Sequence, residues 1–159
     1  MRNKQSAFTL IETVVVIIIL AILAVTVGSS TSSQSALELG LQTQQLQTDI
    51  EYLKAYALYN KTQTQVTFGS VQYQSNINFP SATPGQTAGP KTIILPTGIT
   101  LTSIGVNDNV LTFNSSGRPE TGATPALLPA GSSVTITLTA AGQSQHVVVY
   151  GQAGLVSAS

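Results

Sequence analysis

The sequence predicts an α+β fold, in which a long N-terminal α-helix with a transmembrane half and an amphipathic half packs on the antiparallel β-sheet of a head. Two observations predict the helix: an apolar run near the N-terminus, and behind it an apolar stripe at helical spacing. A third predicts the sheet, because short alternating segments separated by turn residues begin at residue 62. Only 8% of the residues are charged, against about 25% in a typical soluble domain.

The N-terminal segment has the charge distribution of a membrane-spanning helix. Arg2 and Lys4 lie in a short polar stretch before Ala7, and the only charged residue between positions 8 and 27 is Glu12. As an α-helix, this segment spans roughly 30 Å, which is the thickness of the hydrocarbon core of a bilayer. Because the basic residues precede the helix, we expect a cytoplasmic N-terminus and an exported C-terminal part.

Two alternatives remain open for this segment. A secretory signal peptide would be cut after the apolar run, and the small residues from Gly28 onward permit such a cut. Glu12 argues against it, because a carboxylate inside an apolar helix costs about 2.5–3.5 kcal/mol on insertion and marks a functional site by default. The structural alternative is that Glu12 reaches the membrane interface, one turn from the helix start.

The nonapeptide from Lys4 to Glu12, KQSAFTLIE, followed by the apolar run, resembles the N-terminal signature of type IV pilins and type II secretion pseudopilins. The resemblance implies that a prepilin peptidase cuts between Ala7 and Phe8 and then N-methylates Phe8. Ala7 stands where the family usually has Gly, so slower processing is expected. The resemblance thus divides the N-terminal part into a leader, 1–7, and a transmembrane and filament-core helix, 8–28.

The resemblance also gives Glu12 a role in assembly and register. In a filament, the amine of Phe8 can pair with the Glu12 carboxylate of a neighbouring subunit, away from water. A buried pair adds little net stability, whereas a buried charge without its partner costs several kcal/mol. We therefore expect the pair to set the axial register of subunits more than their affinity.

An amphipathic helix is predicted for residues 29–61. The small residues from Gly28 to Ser35 predict a bend or a looser helix there. Its apolar stripe consists of Leu39, Leu46, Ile50, Leu53 and Ala57. Three tyrosines near the end are expected to pack in the core rather than bind a ligand; they are Tyr52, Tyr56 and Tyr59. The helix is predicted to end near Asn60 or Lys61.

Residues 62–159 are predicted to form a β-rich globular head. The candidate strands are Gln65–Phe68, Val71–Gln74, Thr92–Leu95, Ile99–Ile104, Asn109–Phe113, Ser133–Thr139, His146–Tyr150 and Gly154–Ser157. Turn residues separate several of them, at Asn107–Asn109, Asn114–Gly117 and Ala141–Gly142. The segment Pro80–Pro90, with three Pro and two Gly, is expected to be a surface loop.

The C-terminal part is similar to that of minor pilins of the GspH/FimT kind. The similarity consists of a Phe-x-x-x-Gly turn from Phe113 to Gly117, a β-hairpin that ends at Tyr150, and a closing Gly-rich strand from Gly154. Some members of that group bind DNA through C-terminal arginines. Residues 140–159 contain no Lys or Arg, so we do not extend that activity to this chain.

No constellation for catalysis or cofactor binding is present in the sequence. His146 is the only His and Cys is absent, which excludes multi-histidine and thiolate zinc sites. Asp108 lies in a turn that favours Asn and Asp for backbone reasons, with a calcium site as the alternative. Arg118 is expected in a turn, where it could pair with Glu120 at low energetic value. We therefore expect no metal, no cofactor and no enzymatic activity.

These features predict a structural subunit, a minor pilin or pseudopilin, of a type IV pilus or a type II secretion pseudopilus. The expected partners are prepilin peptidase, other pilin or pseudopilin subunits and the bacterial inner membrane, which the chain crosses once with its head exported. Nucleic acid is not expected, since no basic run occurs. The alternatives are a major pilin, or a pilus-associated module that binds DNA, a surface or a secreted substrate.

Overall fold

The computed structural model describes residues 10–77, 90, 92–151 and 154–159, without the side chains of 23–34. The chain divides into two units, Met1–Ser35 and Ala36–Ser159. The predicted leader, 1–7, and all but the last residue of the predicted loop Pro80–Pro90 lie outside the described residues. Within the part that is described, no helical stretch is both long enough and apolar enough to cross a membrane.

A single helix, α1, comprises Leu10–Asn60. The stretch from Gly28 to Ser35, for which a bend or a looser helix is predicted, is helical throughout. The predicted end is confirmed. Lys61 takes a left-handed conformation with φ of 52°, and the Thr62 N–H then donates to the Ala57 carbonyl at 3.3 Å. This is the hydrogen bond of a Schellman cap, which satisfies a carbonyl that the helix end would leave unpaired.

The predicted apolar stripe of α1 is buried along its whole length within the second unit. Leu46, Ile50, Leu53 and Ala57 have no exposed surface. Thr43 is buried beside them, and its Oγ1 donates to the Leu39 carbonyl at 2.8 Å, so the polar group has a partner inside the core. The helix therefore covers the sheets with the side that its sequence spacing predicts.

The ten strands in the described part of the second unit form two antiparallel sheets. The first sheet has the order β3-β2-β1-β5-β6-β7 and the second has the order β10-β9-β8-β4. The strands of the first sheet are β1 Thr64–Phe68, β2 Gln72–Ser75, β3 Thr92–Ile94, β5 Val110–Phe113, β6 Pro119–Thr121 and β7 Ala126–Leu127. Those of the second are β4 Ile99–Ile104, β8 Ser133–Ala140, β9 Gln143–Tyr150 and β10 Val156–Ala158.

One hydrophobic core joins the α1 stripe to both sheets. The first sheet contributes residues such as Val66, Tyr73 and Phe113, and the second contributes alternate residues of β8 and β9. On β8 these are Val134, Ile136 and Leu138, which have no exposed surface. The strand periodicity of two therefore places one face of each sheet against the helix. The predicted α+β fold is confirmed.

Several details differ from the expectation. The strands β6 and β7 were not predicted, and β9 begins at Gln143, three residues before the predicted start. A 3₁₀ turn, Asn107–Asn109, precedes β5. The prediction that the three tyrosines pack in the core is wrong for Tyr59, which is 88% exposed, whereas Tyr52 packs against the core. Tyr59 lies in the last turn of α1.

Candidate assembly site on the N-terminal helix

The structure describes the residue that is predicted to set the register but not the two residues that are predicted to flank the cut. Ala7 and Phe8 lie outside the described residues, and Glu12 lies in the first turn of α1 with its side chain exposed.

The first part of α1 exposes an unbroken apolar surface. Every described side chain from Leu10 to Ile22 is exposed, and ten of them are large and apolar. Leu10 alone is 83% exposed. Covering ten such side chains, each already part-covered by its helical neighbours, would stabilise an assembly by on the order of 10 kcal/mol. A continuous apolar surface of this kind marks a contact with a membrane or with other protein chains.

Near the start of the second unit, two leucines of α1 are more than half exposed. Leu37 and Leu41 are one helical turn apart and are 67% and 58% exposed. The next residues along the same helical face, Gln44 and Thr48, are exposed and polar. A polar stretch of the helix surface therefore follows this pair of leucines.

A buried polar contact holds the helix to the first sheet. Asp49 is 5% exposed and Tyr73 is 1% exposed. The Tyr73 hydroxyl donates to Asp49 Oδ2 at 2.6 Å, and Gln45 Nε2 donates to Asp49 Oδ1 at 2.9 Å. Burial raises the pKa of Tyr73 above its usual value of 10.0, and the hydrogen bond to Asp49 and its charge raise the pKa further.

The sequence analysis gave Asp49 no role and missed this contact. A signal was present, because Asp49 lies three residues after Leu46 and four before Leu53 and so belongs to the side of the stripe. Tyr73 alternates with exposed neighbours on β2, which marks it as inward-facing. The pairing of the two residues depends on tertiary packing, which no local pattern specifies.

Comparison with known families gives one match, on the N-terminal segment. Residues 2–28 match the family described as the prokaryotic N-terminal methylation motif. This range contains Ala7, Phe8, Glu12 and the first part of the exposed apolar helix. No protein of curated function is significantly similar to the chain in sequence.

Two solved structures share the fold of the chain. The Pseudomonas aeruginosa type IV minor pilin FimU is 14% identical, with a TM-score of 0.56 over 78% of this chain and 90% of that chain. The minor pseudopilin EpsH from the type 2 secretion system of Vibrio cholerae is 13% identical, with a TM-score of 0.53 over 77% of this chain and 96% of that chain. At these identities the likeness concerns the fold, and the methylation motif adds an independent sequence feature. The chain therefore has a pilin-like fold and carries the methylation motif at its N-terminus.

The C-terminal features that resemble minor pilins form a packing contact in this pilin-like protein. Gly117 has φ of 69°, and a Cβ placed on it would lie 2.7 Å from Leu58 Cγ on α1. Gly154 has φ of 57°, and a Cβ there would lie 2.8 Å from the Gly117 carbonyl oxygen and 3.3 Å from Lys54 Cε. The two glycines let the Asn114–Gly117 turn and the segment before β10 approach each other and the helix.

The remaining candidates of this pilin-like protein make local contacts. His146 Nδ1 lies 2.9 Å from Thr137 Oγ1 across the β8–β9 hairpin. Asp108 Oδ2 accepts from the Ala123 N–H at 3.2 Å, and within the described residues no three His, Cys, Asp or Glu side chains could hold a metal ion. Glu120 accepts from Asn114 Nδ2 at 3.0 Å and Gln63 Nε2 at 3.4 Å.

Proposed function

We propose that the chain is a structural subunit, a minor pilin or pseudopilin, of a type IV pilus or a type II secretion pseudopilus. One observation carries the proposal: the methylation motif covers residues 2–28, and the described helix within that range exposes apolar side chains without a break from residue 14 to residue 22. A subunit that polymerises through its helix needs such a surface. A soluble enzyme would bury it.

Processing converts this segment from a membrane anchor to an assembly element. Prepilin peptidase cuts between Ala7 and Phe8, removes Arg2 and Lys4 with the leader, and methylates the new amine of Phe8. Before assembly, the helix from residue 8 to residue 28 crosses the bacterial inner membrane once, with the head exported. This orientation rests on the basic residues that precede the apolar run.

Glu12 sets the register of each incoming subunit. Once the helices are bundled, the carboxylate of one subunit and the amine of Phe8 in its neighbour are both removed from water. A subunit placed out of register leaves both charges buried without a partner, which costs several kcal/mol. Apolar contact between the helices supplies the affinity. Because such contact does not discriminate strongly between axial positions, the register depends on Glu12.

Fractionation of the producing cells tests the proposal. The full chain is expected in the inner membrane, and in mechanically sheared filaments or in a membrane-bound pseudopilus that contains other pilin subunits. A minor subunit is expected at a small fraction of the major one, whereas a major pilin would dominate the sheared fraction. Recovery of the chain solely as a free exported protein, with no other pilin subunit, would overturn the proposal.

A further inference from the structure

A small groove with a mixed polar and apolar lining opens on the head, between the turn that joins β1 to β2 and the strand β4. Its volume is about 220 Å³. The polar lining comes from Ser70, Thr102, Ser103 and Asn109, and the apolar lining includes Leu101, which is itself buried. Drug-sized ligands occupy pockets of about 300–1,000 Å³. The groove therefore has room for one small ring rather than for a larger ligand.

The chemistry of the lining selects an uncharged ligand. Among the residues that the structure describes, no Lys, Arg, Asp or Glu lines the groove. The nearest acid in sequence is Asp108, whose carboxylate accepts from the Ala123 N–H. An anion would find no cation here, and a cation would find no carboxylate, so either would lose hydration without compensation. Hydroxyl and amide groups instead suit a neutral ligand that both donates and accepts hydrogen bonds.

Asn109 is held in place with its donors unused. Its Oδ1 accepts from Ser103 Oγ at 2.8 Å, and in the described part of the chain its Nδ2 donates no hydrogen bond. Asp108 and Asn109 take consecutive left-handed conformations, with φ of 55° and 57°. Asp and Asn tolerate this backbone conformation better than other residues with a Cβ. The fold thus presents a fixed amide donor at the rim.

An extended peptide is not the ligand that this geometry favours. The Leu101 N–H of β4 donates to the Ser70 carbonyl at 2.8 Å, and the Gly69 N–H donates to the Gln72 carbonyl at 2.7 Å. These backbone groups are therefore occupied where a peptide would have to add as a further strand. The remaining contacts come from side chains, which recognise a discrete polar ring.

We propose that this groove binds a single neutral sugar ring of a glycan. Ser70, Thr102 and Asn109 supply the hydrogen bonds to its hydroxyls, and the buried Leu101 with its neighbour Phe68 supplies the apolar contact beneath the ring. The binding does not depend on the assembly of the chain, since every lining residue belongs to the second unit. A sugar-binding head on an assembled filament would attach that filament to a glycan-covered surface.

The test uses the full chain, isotope-labelled, in micelles of a zwitterionic detergent without a sugar headgroup. The probes are the methyl glycosides of glucose, galactose and mannose, together with N-acetylglucosamine. At least one is expected to show saturation transfer and to shift the amide resonances of residues 101–103 and 109. Thr102→Val is expected to weaken binding by about three- to tenfold through the loss of one hydrogen bond. Thr100→Val, two residues earlier on β4 and outside the lining, is the matched control and should bind as the wild type does.

Asn109→Gly provides the decisive variant, because Gly accepts the left-handed backbone and only the amide is lost. Binding is expected to weaken by about tenfold or more while the thermal transition is retained. Two results would overturn the inference: no probe perturbs residues 101–109, or Asn109→Gly binds the sugar as tightly as the wild type. A neutral Ser- and Asn-rich peptide that perturbs these residues where the sugars do not would also overturn it.

Discussion

Asp49 and Tyr73 form the polar contact that connects α1 to the β1–β2 hairpin. Both side chains are buried, and the carboxylate receives at least two hydrogen bonds, from the Tyr73 hydroxyl and from Gln45. A buried carboxylate that loses a donor retains its desolvation penalty. The contact therefore specifies how the hairpin sits on the helix, within a core that is otherwise apolar.

Tyr73→Phe removes the hydroxyl and keeps the ring. We expect the free energy of unfolding to fall by about 1.5–3 kcal/mol, because a hydrogen bond to a charged group is lost. Tyr59→Phe is the matched control, since Tyr59 is 88% exposed and its change should stay within about 0.5 kcal/mol. Urea unfolding of the full chain in detergent measures both. Equal effects of the two substitutions would contradict the role of the buried contact.

The raised pKa of Tyr73 predicts a loss of stability in alkaline solution. Burial and Asp49 keep the folded phenol protonated, while in the unfolded chain it ionises near its usual value of 10.0. The stability that comes from keeping this phenol protonated is thus fully present below about pH 10. It is lost as pH rises above that value, by up to about 1.4 kcal/mol per pH unit. The difference between wild type and Tyr73→Phe, measured from pH 8 to 11 by denaturant unfolding, isolates this group. A difference that does not change with pH would contradict the account.

Glu12→Ala tests the register role of the carboxylate. We expect the variant to reach the membrane and to be cut normally, but to enter filaments poorly, because the Phe8 amine of its neighbour would be buried without a partner. Glu51→Ala, an exposed acid on the same helix, is the control and should assemble normally. Immunoblots of sheared filaments measure incorporation. Normal incorporation of Glu12→Ala would contradict the role.

The elements that the sequence predicts well are those with a long periodic signal or a clear turn. On α1 and on β8, the residues that the periodic pattern marks as inward-facing are the ones that the core buries. The start of β9 was missed because the polar residues Gln143–Gln145 carry no apolar signal. The two-residue turn Ala141–Gly142 nevertheless pairs Ala140 with Gln143, which extends both strands to the turn.

The strands β6 and β7 lack a local signal altogether. β6 is Pro119–Thr121, and Pro is disfavoured in strand interiors, although it is tolerated at a first position. β7 has two residues, Ala126 and Leu127, which is too short for alternation to appear. β6 forms by pairing to β5, and β7 forms by pairing to β6. Similarly, the groove at Asn109 arises where β4 meets the β1–β2 turn, which no sequence window contains.

Gly154→Ala tests the close approach near the C-terminus. Its φ of 57° and its 2.8 Å approach to the Gly117 carbonyl predict both backbone strain and a clash. Gly142→Ala is the matched control, since φ there is 79° with nothing within 4 Å. We expect backbone strain to lower the free energy of unfolding by about 1–2 kcal/mol in both variants. The clash should lower it by about 1–3 kcal/mol more for Gly154→Ala. Thermal or urea unfolding measures the difference, and equal losses would contradict the packing contact.

Charge and apolar surface are unevenly distributed over the molecule. In residues 62–159 the only charged side chains are Lys91, Asp108, Arg118 and Glu120. The unit from residue 1 to residue 35, by contrast, exposes a continuous apolar surface over its described side chains. This distribution fits a subunit that assembles through its helix and presents a neutral head, whose contacts should depend little on ionic strength.

The parts of the candidate assembly site differ in how far the sequence predicts them. The apolar run and Glu12 are visible directly, because membrane and filament helices need length and hydrophobicity over a continuous segment. The cut between Ala7 and Phe8 follows from the resemblance of KQSAFTLIE alone. The cut remains a proposal, and the fold of the head carries no information about it.

The central claim concerns one covalent event, so intact mass spectrometry of the membrane-extracted protein tests it most directly. The account predicts a chain that has lost residues 1–7, begins at Phe8 and carries one added methyl group. Cells without prepilin peptidase should yield the full-length form. A mature chain that begins after Gly28, or a chain that retains residues 1–7 in cells with the active peptidase, would contradict the account.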